Sequence, residues 1–285
     1  MKVTKAIITA AGADQRALPL QTLVGPNGPP ATSALRLIVD ESIAAGAEDI
    51  AVIVHPGDEA RYREATGDAA DCITFIPQTS PRGYGHAILC ARDFADGEPF
   101  LHLVGDHLPI STTATGCAKQ VMQVAEVEAC PVSGVHPTRE NHLTSYGTVG
   151  GRPDPGHPGR YLVERVIEKP TPTVAEQDLV VPGLRAGSYL CFFGIHVLTP
   201  SVMDILEGQL AEAEPGTAIQ LTPALEELRR RERYLALDIA GRRCDLGQTY
   251  GTFYAQLALV LRGKDRDEVL AQLVELLATH TPPSS

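Results

Sequence analysis

The start of this chain constrains its fold more than any other segment. Residues 5–10 form an apolar, β-prone run that is followed by the small residues Ala11 and Gly12. Such a run predicts a buried strand, and because its end carries nothing larger than a methyl group, another molecule can approach the backbone closely there. A loop over residues 12–32 then leads to an apolar helix that Ser33 can cap. Strand, small-residue loop and helix in this order are typical of proteins that hold nucleotide phosphates, and also of many α/β proteins that bind no nucleotide.

Strand and helix patterns alternate along the first half of the 285-residue chain. Four further apolar runs predict strands, at residues 49–54, 72–76, 100–104 and 130–135. Helical patterns separate them, so we predict a doubly wound, mostly parallel α/β sheet with ligands beyond the carboxyl ends of its strands. Residues 139–160 are rich in Gly, Pro and His, and two later strands flank a polar segment. We expect this region to form a small antiparallel subregion laid over the parallel sheet, suited to closing over a second substrate.

The C-terminal part of the chain has a different pattern. We predict one domain over residues 1–262, followed over residues 263–285 by a helix and a tail that frays. The final helix carries an apolar stripe at helical spacing, formed by Val269, Leu270, Leu273, Val274, Leu276 and Leu277. Such a stripe predicts packing against the core or against a second copy of the chain in a homo-oligomer.

Composition argues against several classes of function. A formal net charge of −11 and a pI near 5.3 disfavour nucleic-acid and anionic membrane partners, because their phosphates would be repelled. Six cysteines without a Cys-x-x-Cys pair indicate buried, reduced thiols. No apolar run reaches the roughly 18 residues of a membrane span, and the N-terminus enters a strand directly, so we expect a cytoplasmic protein.

Three charged residues stand out by their position. Asp106 follows the apolar run at 100–104, and Asp245 lies between a strand-like run and a helix. Carboxylates at strand ends lie on the ligand face, where Mg²⁺ bridging phosphates is a natural partner; turn capping is the alternative role for Asp106. Lys169 is one of only five lysines, and it stands between an apolar run and Pro170, which favours a specific contact over a solubilising charge.

A series of short motifs resembles, in kind and in order, those of bacterial UTP-glucose-1-phosphate uridylyltransferases over residues 3–262. Each motif is weak alone, but the ordered set is specific. The motifs are Ala10-Ala11-Gly12 with Arg16 and Pro19, Gln78 before Arg82-Gly83-Tyr84-Gly85-His86-Ala87, Asp106, Tyr146-Gly147, Glu168-Lys169-Pro170, Ala186-Gly187-Ser188-Tyr189, Ile219-Gln220-Leu221-Thr222 and Cys244-Asp245-Leu246-Gly247.

This resemblance implies a Rossmann-like nucleotidyltransferase fold in which the antiparallel subregion binds a sugar. It implies a reaction in which an oxygen of glucose 1-phosphate, or of a similar hexose 1-phosphate, attacks the α-phosphorus of UTP. The products would be a nucleotide-sugar and pyrophosphate, the partners would be these small molecules, and Mg²⁺ would be the cofactor. Because the protein does little covalent chemistry in such a reaction, catalysis depends on positioning and charge neutralisation.

The resemblance also implies roles for individual residues at the nucleotide end of the site. The backbone and side chains that read the pyrimidine would be those of Ala11, Gly12, Gln78 and Gly83. Asp106 and Asp245 would be the ligands of Mg²⁺. The ion would screen the α-phosphate of the nucleotide and the phosphate of the sugar from each other.

At the sugar end, three residues would contact the hexose phosphate. Glu168 would accept hydrogen bonds from hydroxyls, Lys169 would contact the phosphate, and Gly187 would leave room for the ring. The catalytic set implied by the resemblance is Arg16, Asp106 and Lys169.

Departures from the family pattern concern the triphosphate end. The family's phosphate loop reads Gly-x-Gly-Thr-Arg and continues to a Lys beside a proline. This chain instead reads Gly12-Ala13-Asp14-Gln15-Arg16 and has no cation between Arg16 and Arg36. Asp14 would repel a triphosphate. The Glu that the family places before Ile-Gln-Leu-Thr is Ala218, which removes one sugar contact.

Three functions therefore stay open. The first is an active uridylyltransferase in which Arg82 or Arg36 supplies the missing charge, and the second is a thymidylyltransferase that uses dTTP. The third is a catalytically weak paralogue that binds a nucleotide-sugar or sugar phosphate as a regulatory or partner subunit. An NAD-binding Rossmann protein is disfavoured, because Gly-x-Gly-x-x-Gly is absent after the first strand.

Overall fold

The structure, a computed structural model, describes residues 1–279. The strands are β1 (Lys5–Ala10), β2 (Thr22–Gly25), β3 (Gly28–Ser33), β4 (Asp49–Val54), β5 (Ile73–Pro77), β6 (Phe100–Val104), β7 (His107–Ser111), β8 (Val132–Arg139), β9 (Thr148–Pro153), β10 (Arg160–Ile167), β11 (Ser188–Leu198), β12 (Leu235–Asp238) and β13 (Gly241–Asp245). The helices are α1 (Ala34–Ala45), α2 (Glu59–Thr66), α3 (Tyr84–Leu89), α4 (Arg92–Ala95), α5 (Cys117–Glu128), α6 (Pro172–Asp178), α7 (Ser201–Glu212), α8 (Leu221–Arg231), α9 (Gly251–Arg262) and α10 (Arg266–Thr279).

Within residues 1–279, nine strands form one mixed sheet in the order β5-β4-β1-β6-β11-β8-β12-β10-β9. β1 pairs in parallel with β4 and β6, and β4 pairs in parallel with β5, so this half is the parallel unit that the alternation predicts. β11 then pairs antiparallel with β6 and β8. The antiparallel strands therefore extend the same sheet, which corrects the expectation that they lie over it. β11 is buried along most of its length, and its 11 residues make it long enough to pair with several neighbours.

Both faces of the sheet are covered, as a doubly wound fold requires. Successive side chains of β1 point to opposite faces, so Ile8 lies in one hydrophobic core and Ile7 in the other. Helices α1, α5 and α9 pack on the first face, and α3, α7 and α8 pack on the second. The predicted doubly wound α/β architecture is confirmed, in a sheet that is mixed rather than mostly parallel.

The first helix begins and ends where the sequence predicts. The hydroxyl of Ser33 accepts a hydrogen bond from the backbone N–H of Arg36 at 2.9 Å, and Gly46 ends the helix with a left-handed φ of 118°. The segment predicted as a loop, residues 12–32, instead contains the hairpin of β2 and β3. Gln256 of α9 holds this hairpin through two hydrogen bonds to the backbone of Val24, a contact between segments far apart in sequence.

The last helix lies at the periphery. No residue of α10 is buried, and its side chains at Val274, Leu276 and Leu277 are exposed, so the apolar stripe does not pack into the core. Packing against a second copy stays a prediction. The predicted fraying of residues 281–285 falls outside the described residues. No helix found in residues 1–279 combines the length and the apolar character needed to cross a membrane.

Candidate active site

A cavity of about 720 Å³ opens at the carboxyl ends of β1 and β6. This is the edge of the sheet where the parallel half was expected to bind ligands. A smaller cavity of about 130 Å³ shares Tyr84, Val104 and Glu168 with the first and is also lined by Phe192 and Thr222. Together the two spaces have the size and mixed polarity of a site for a small charged molecule.

The larger cavity is lined by all four residues assigned to the pyrimidine, namely Ala11, Gly12, Gln78 and Gly83. The side-chain amide of Gln78 donates hydrogen bonds from Nε2 to the carbonyl of Gly83 at 3.1 Å and to Nδ1 of His86 at 3.0 Å. A carbonyl oxygen can only accept, which fixes the orientation of the amide. Gln78 therefore has its Oε1 acceptor left to offer a ligand.

Gly83 is required by its backbone conformation and by packing. Its φ is 95°, and a Cβ at this position would lie 2.6 Å from the carbonyl oxygen of Ile219. The same carbonyl accepts a hydrogen bond from the backbone N–H of Gly85 at 2.8 Å. The start of α3 is thereby joined to the segment that precedes α8, and only glycine fits between them.

A two-stranded ribbon outside the main sheet brings the two predicted metal ligands together. β7 and β13 pair antiparallel so that His107 lies opposite Asp245, and the backbone N–H of Leu246 donates to the carbonyl of Asp106 at 2.9 Å. Asp106, His107 and Asp245 each offer a ligand atom within 4.8 Å of the others. Sequence reasoning missed His107, although its position directly after Asp106 and the polarity of an imidazole were visible signals.

The carboxylates of this cluster are held by defined contacts. Oδ1 of Asp245 accepts from the backbone N–H of Gly247 at 2.9 Å, and its Oδ2 accepts from the amide of Gln248 at 3.1 Å. Nδ1 of His107 lies 2.7 Å from Oδ1 of Asp106. Burial is the largest single influence and opposes ionisation of Asp106, but the hydrogen bond to His107, the electrostatic interaction with His107 and a backbone hydrogen bond together outweigh it and lower the pKa of the carboxyl. Asp106 is therefore ionised at neutral pH.

The residues assigned to the sugar phosphate line the same cavity and lie on the turn after β10. Oε2 of Glu168 accepts a hydrogen bond from the hydroxyl of Thr222 at 2.5 Å, which orients the carboxylate. Lys169 adopts a left-handed φ of 44°, rather than the extended conformation expected before proline. Its Nζ lies 3.9 Å from Glu168 and its side chain is 57% exposed, so the ammonium is accessible to a phosphate.

Tyr84 is a second site residue that sequence reasoning did not assign. It lines both cavities, and its hydroxyl lies 2.5 Å from Nε2 of the buried His102. Burial, followed by the charges of Asp106 and Glu168, raises the pKa of Tyr84 well above its ordinary value. The hydroxyl is therefore neutral, and it is close enough to Asp106 and Glu168 for both carboxylates to act on it.

Two predicted site residues are not brought into the cavity lining. Arg16 instead contacts Nδ1 of His55 at 3.2 Å and the carboxylate of Asp58 at 3.5 Å. Gly187 occupies the turn before β11, where its φ of 73° requires glycine and its nearest side chain is that of Glu140. Their roles in ligand binding stay predictions.

The missing loop cation is not replaced by the arginines considered for that role. Arg36 forms ion pairs with Asp40 and Asp68, and the guanidinium of Arg82 donates to the carbonyl of Glu214 at 3.0 Å. Of the cavity-lining residues in the described chain, Lys169 is the only lysine or arginine. The loop instead contributes the neutral amide of Gln15.

The fold and this site define a nucleotidyl transferase: the family model of that description matches residues 5–259, and the chain belongs to this family. The more particular resemblance also holds. UTP-glucose-1-phosphate uridylyltransferase of Streptococcus pneumoniae is 30% identical, over 96% of this chain and 96% of the relative. A Bacillus subtilis protein of the same name is 31% identical, over 96% of this chain and 97% of the relative.

Solved structures support the same fold. UDP-glucose pyrophosphorylase complexed with UDP-glucose matches with a TM-score of 0.72 and 24% identity, over 90% of this chain and 98% of that chain. UDP-glucose pyrophosphorylase from Acinetobacter baumannii matches with a TM-score of 0.73 and 21% identity, over 97% of this chain and 100% of that chain. The predicted nucleotidyltransferase fold is thus confirmed independently of the motifs.

Proposed function

We propose that this protein transfers a uridylyl group from UTP to glucose 1-phosphate, producing UDP-glucose and pyrophosphate. The observation that carries the proposal is that one cavity is lined by three kinds of group. Gln78 offers a hydrogen-bond acceptor for a pyrimidine base, Asp106 and Asp245 offer a pair of carboxylates, and Lys169 offers an accessible ammonium. The names of the relatives support the same reaction.

Base recognition follows from the fixed amide of Gln78. Uracil and thymine each carry an N3–H donor between two carbonyl acceptors, whereas cytosine has an acceptor at N3. Oε1 of Gln78 accepts from N3–H, and the backbone N–H groups at Ala11 and Gly12 donate to a carbonyl of the base. This arrangement selects UTP or dTTP over CTP, because the mismatched base leaves a buried acceptor facing another acceptor.

The carboxylates fit a divalent cation. Asp106 and Asp245 offer oxygen ligands close to one another, and oxygen is the ligand type that Mg²⁺ prefers. When bound there, Mg²⁺ neutralises charge on the phosphates of the nucleotide. Gly247 and Gln248 keep Asp245 oriented toward this position.

The sugar phosphate is positioned by Lys169, whose ammonium binds its phosphate oxygens, while Glu168 accepts hydrogen bonds from sugar hydroxyls. An oxygen of that phosphate forms a bond to the α-phosphorus of UTP, and the bond from the α-phosphorus to the bridging oxygen of pyrophosphate breaks. Pyrophosphate leaves with the electron pair. The attacking phosphate is already largely ionised at neutral pH, so no general base is needed.

The test is pyrophosphate release with UTP, dTTP and CTP against glucose 1-phosphate and galactose 1-phosphate in the presence of Mg²⁺. We expect UTP with glucose 1-phosphate to be the fastest pair. Asp106→Asn and Asp245→Asn should each reduce turnover by at least about 100-fold while the protein stays folded, because charge neutralisation at the α-phosphate is lost. Asp93→Asn, at an exposed carboxylate on α4 outside the cavity lining, is the matched control.

Each alternative has its own signature in this assay. Faster turnover with dTTP than with UTP would assign a thymidylyltransferase. Tight binding of UDP-glucose without pyrophosphate release from any pair would assign a catalytically weak paralogue. The feature that favours this last outcome is the scarcity of cationic side chains around the cavity. The lining contains one lysine, Lys169, and three carboxylates, those of Asp106, Glu168 and Asp245.

A further inference from the structure

Arg243 lies on β13 two residues before Asp245, so the two side chains point to the same face of the ribbon formed by β7 and β13. Its guanidinium carbon lies 3.5 Å from the centroid of the Tyr146 ring, and one of its N–H groups donates to the carbonyl of Phe192. Among the residues that the structure describes, its partners are these neutral groups and no carboxylate pairs with it. The half-buried cation therefore holds a ring rather than an acidic side chain.

The guanidinium makes both contacts at once because of its shape. Its N–H donors lie in one plane, at the edge of the group, which leaves the flat face free to stack on an aromatic ring. The carbonyl of Phe192 fixes the group within its plane, and the face then lies over Tyr146. A cation in this position is attracted by the negative potential of the ring face. Arg243 is thus anchored by β11 and in turn fixes the ring.

The ring that Arg243 holds bounds the candidate active site. Tyr146 lines both cavities, as Glu168 does, whereas Arg243 lines neither. The backbone beside the ring is fixed as well, since the carbonyl of Gly147 accepts a hydrogen bond from the N–H of Phe192 at 2.9 Å. Arg243 therefore acts on the cavities through the ring of Tyr146.

The contact joins two parts of the site that belong to different sheets. β7 and β13 pair with each other in a two-stranded sheet, separate from the nine-stranded one. This ribbon carries Asp245, whereas Tyr146 lies in the connection between β8 and β9 of the main sheet. The stacking of Arg243 on Tyr146 therefore ties the carboxylate cluster to the wall of the cavity.

We propose that Arg243 is a positioning residue that holds Tyr146 at a fixed place relative to Asp245 and so aligns the sugar phosphate with the nucleotide. The inference rests on the proposed function for the identity of these two substrates. Transfer requires the attacking oxygen to lie about 3 to 3.5 Å from the phosphorus, and a misplacement of about 1 Å can cost on the order of 100-fold in rate. Loss of the contact should therefore appear mainly in kcat.

Steady-state kinetics with UTP and glucose 1-phosphate compare variants of the full chain, and urea unfolding of each variant shows whether the fold is retained. Arg243→Met removes the charge and the donors, and Arg243→Lys keeps the charge without the planar fork. Arg243→Gln, which keeps one donor for the carbonyl of Phe192, takes the place of Arg243→Met if that variant does not fold. Arg242→Met is the matched control, because Arg242 is an exposed arginine at the neighbouring position of the same strand.

We expect Arg243→Met to lower kcat about 10- to 100-fold while the KM for UTP changes less than about twofold. Arg243→Lys should recover part of kcat, since an ammonium also binds the face of a ring. In a Tyr146→Leu background, Arg243→Met should lower kcat less than about threefold further, because the ring through which it acts is gone. Arg242→Met should have the kcat of the wild type.

A second measurement tests the contact without turnover. The chain contains no tryptophan, so Tyr146→Trp places a single indole at the position of the ring. Iodide is an anion that a nearby cation attracts, whereas acrylamide is neutral. Adding Arg243→Met to Tyr146→Trp should therefore lower the ratio of iodide quenching to acrylamide quenching at least about twofold. Adding Arg242→Met should change this ratio far less.

Four results would each overturn the inference: an unchanged kcat in folded Arg243→Met, an equal loss in Arg242→Met, a full further loss when Arg243→Met is added to Tyr146→Leu, or a quenching ratio that does not respond to Arg243→Met. Brisk turnover by the wild type together with any of them removes the role of Arg243 alone. Absence of turnover by the wild type on every substrate pair removes the proposed reaction, and with it this role, whatever the quenching ratio.

Discussion

The hydroxyl oxygen of Tyr84 lies 2.5 Å from Nε2 of His102, and the direction of this hydrogen bond is determined by the next contact. Nδ1 of His102 lies 2.9 Å from the carbonyl oxygen of Ile7, which can only accept, so Nδ1 carries the hydrogen. Burial lowers the pKa of His102 to about 4, so the ring is neutral at pH 7 and Nε2 accepts. Tyr84 therefore donates to His102, and its oxygen can act only as an acceptor toward any other group, as it does toward the side chain of Thr9.

Tyr84→Phe should weaken binding of the sugar phosphate, because an acceptor for a sugar hydroxyl is lost. A net hydrogen bond is worth about 0.5 to 1.5 kcal/mol, so we expect the KM for glucose 1-phosphate to rise about two- to tenfold while that for UTP changes less. Deoxyglucose 1-phosphates, each lacking one hydroxyl, identify the hydroxyl that Tyr84 binds. The analogue that lacks this hydroxyl should have the same KM with Tyr84→Phe as with the wild type. Equal losses for UTP and for every sugar would contradict this role.

Lys169→Met should raise the KM for glucose 1-phosphate about 10- to 150-fold, because a charge-assisted phosphate contact is worth about 1.5 to 3 kcal/mol. The KM for UTP should change far less, as measured by steady-state kinetics with each substrate varied in turn. Lys2→Met, at a lysine whose side chain is 76% exposed and paired with Glu48, serves as the control. A matching increase in both KM values would refute the assignment of Lys169 to the sugar phosphate.

The phosphate loop should make UTP bind more weakly than UDP-glucose, because the loop offers Gln15 and no cation to the extra charge of the triphosphate. Calorimetry with both ligands measures the difference. Gln15→Lys should tighten UTP binding severalfold, since a charge-assisted contact replaces a neutral one. Ala17→Lys adds the same charge at an exposed loop position outside the cavity lining and should have little effect. This account would be disproved if UTP bound as tightly as UDP-glucose and if Gln15→Lys left the affinity for UTP unchanged.

Stability should fall as the pH is lowered from about 6.5 toward 4, because the buried histidines resist protonation. The folded-state pKa of His102 lies at about 4, below the ordinary histidine value of about 6.5, so over this range the unfolded chain binds more protons than the native one. His102 contributes on the order of 3 kcal/mol to the free energy of unfolding through this effect. The contribution is present above the pKa of His102 in the unfolded chain and is lost as the pH falls toward its pKa in the folded protein. Burial lowers the pKa of its neighbour His196 in the same direction.

Urea unfolding at pH 7, 6 and 5 measures this dependence. His102→Asn should lower stability at every pH, but the fall between pH 7 and pH 5 should become shallower, because one group that protonates only on unfolding is gone. A slope that is unchanged in His102→Asn would rule out this histidine as its source.

Local patterns in the sequence were sufficient for much of the fold. The apolar run over residues 5–10 is a buried strand, Ser33 and Gly46 bound the first helix, and the order of motifs is that of the family to which the chain belongs. These features are local, because hydrophobic periodicity, helix caps and small residues act over a few neighbouring positions.

Only the tertiary structure decided which distant groups meet. Asp106 and Asp245 come together through the pairing of β7 with β13, and the same pairing makes His107 part of the cluster. Arg16, which follows the family motif in sequence, instead turns toward His55 and Asp58. Strand register and side-chain partners across more than a hundred residues depend on how whole elements pack, so no periodicity in a single segment encodes them.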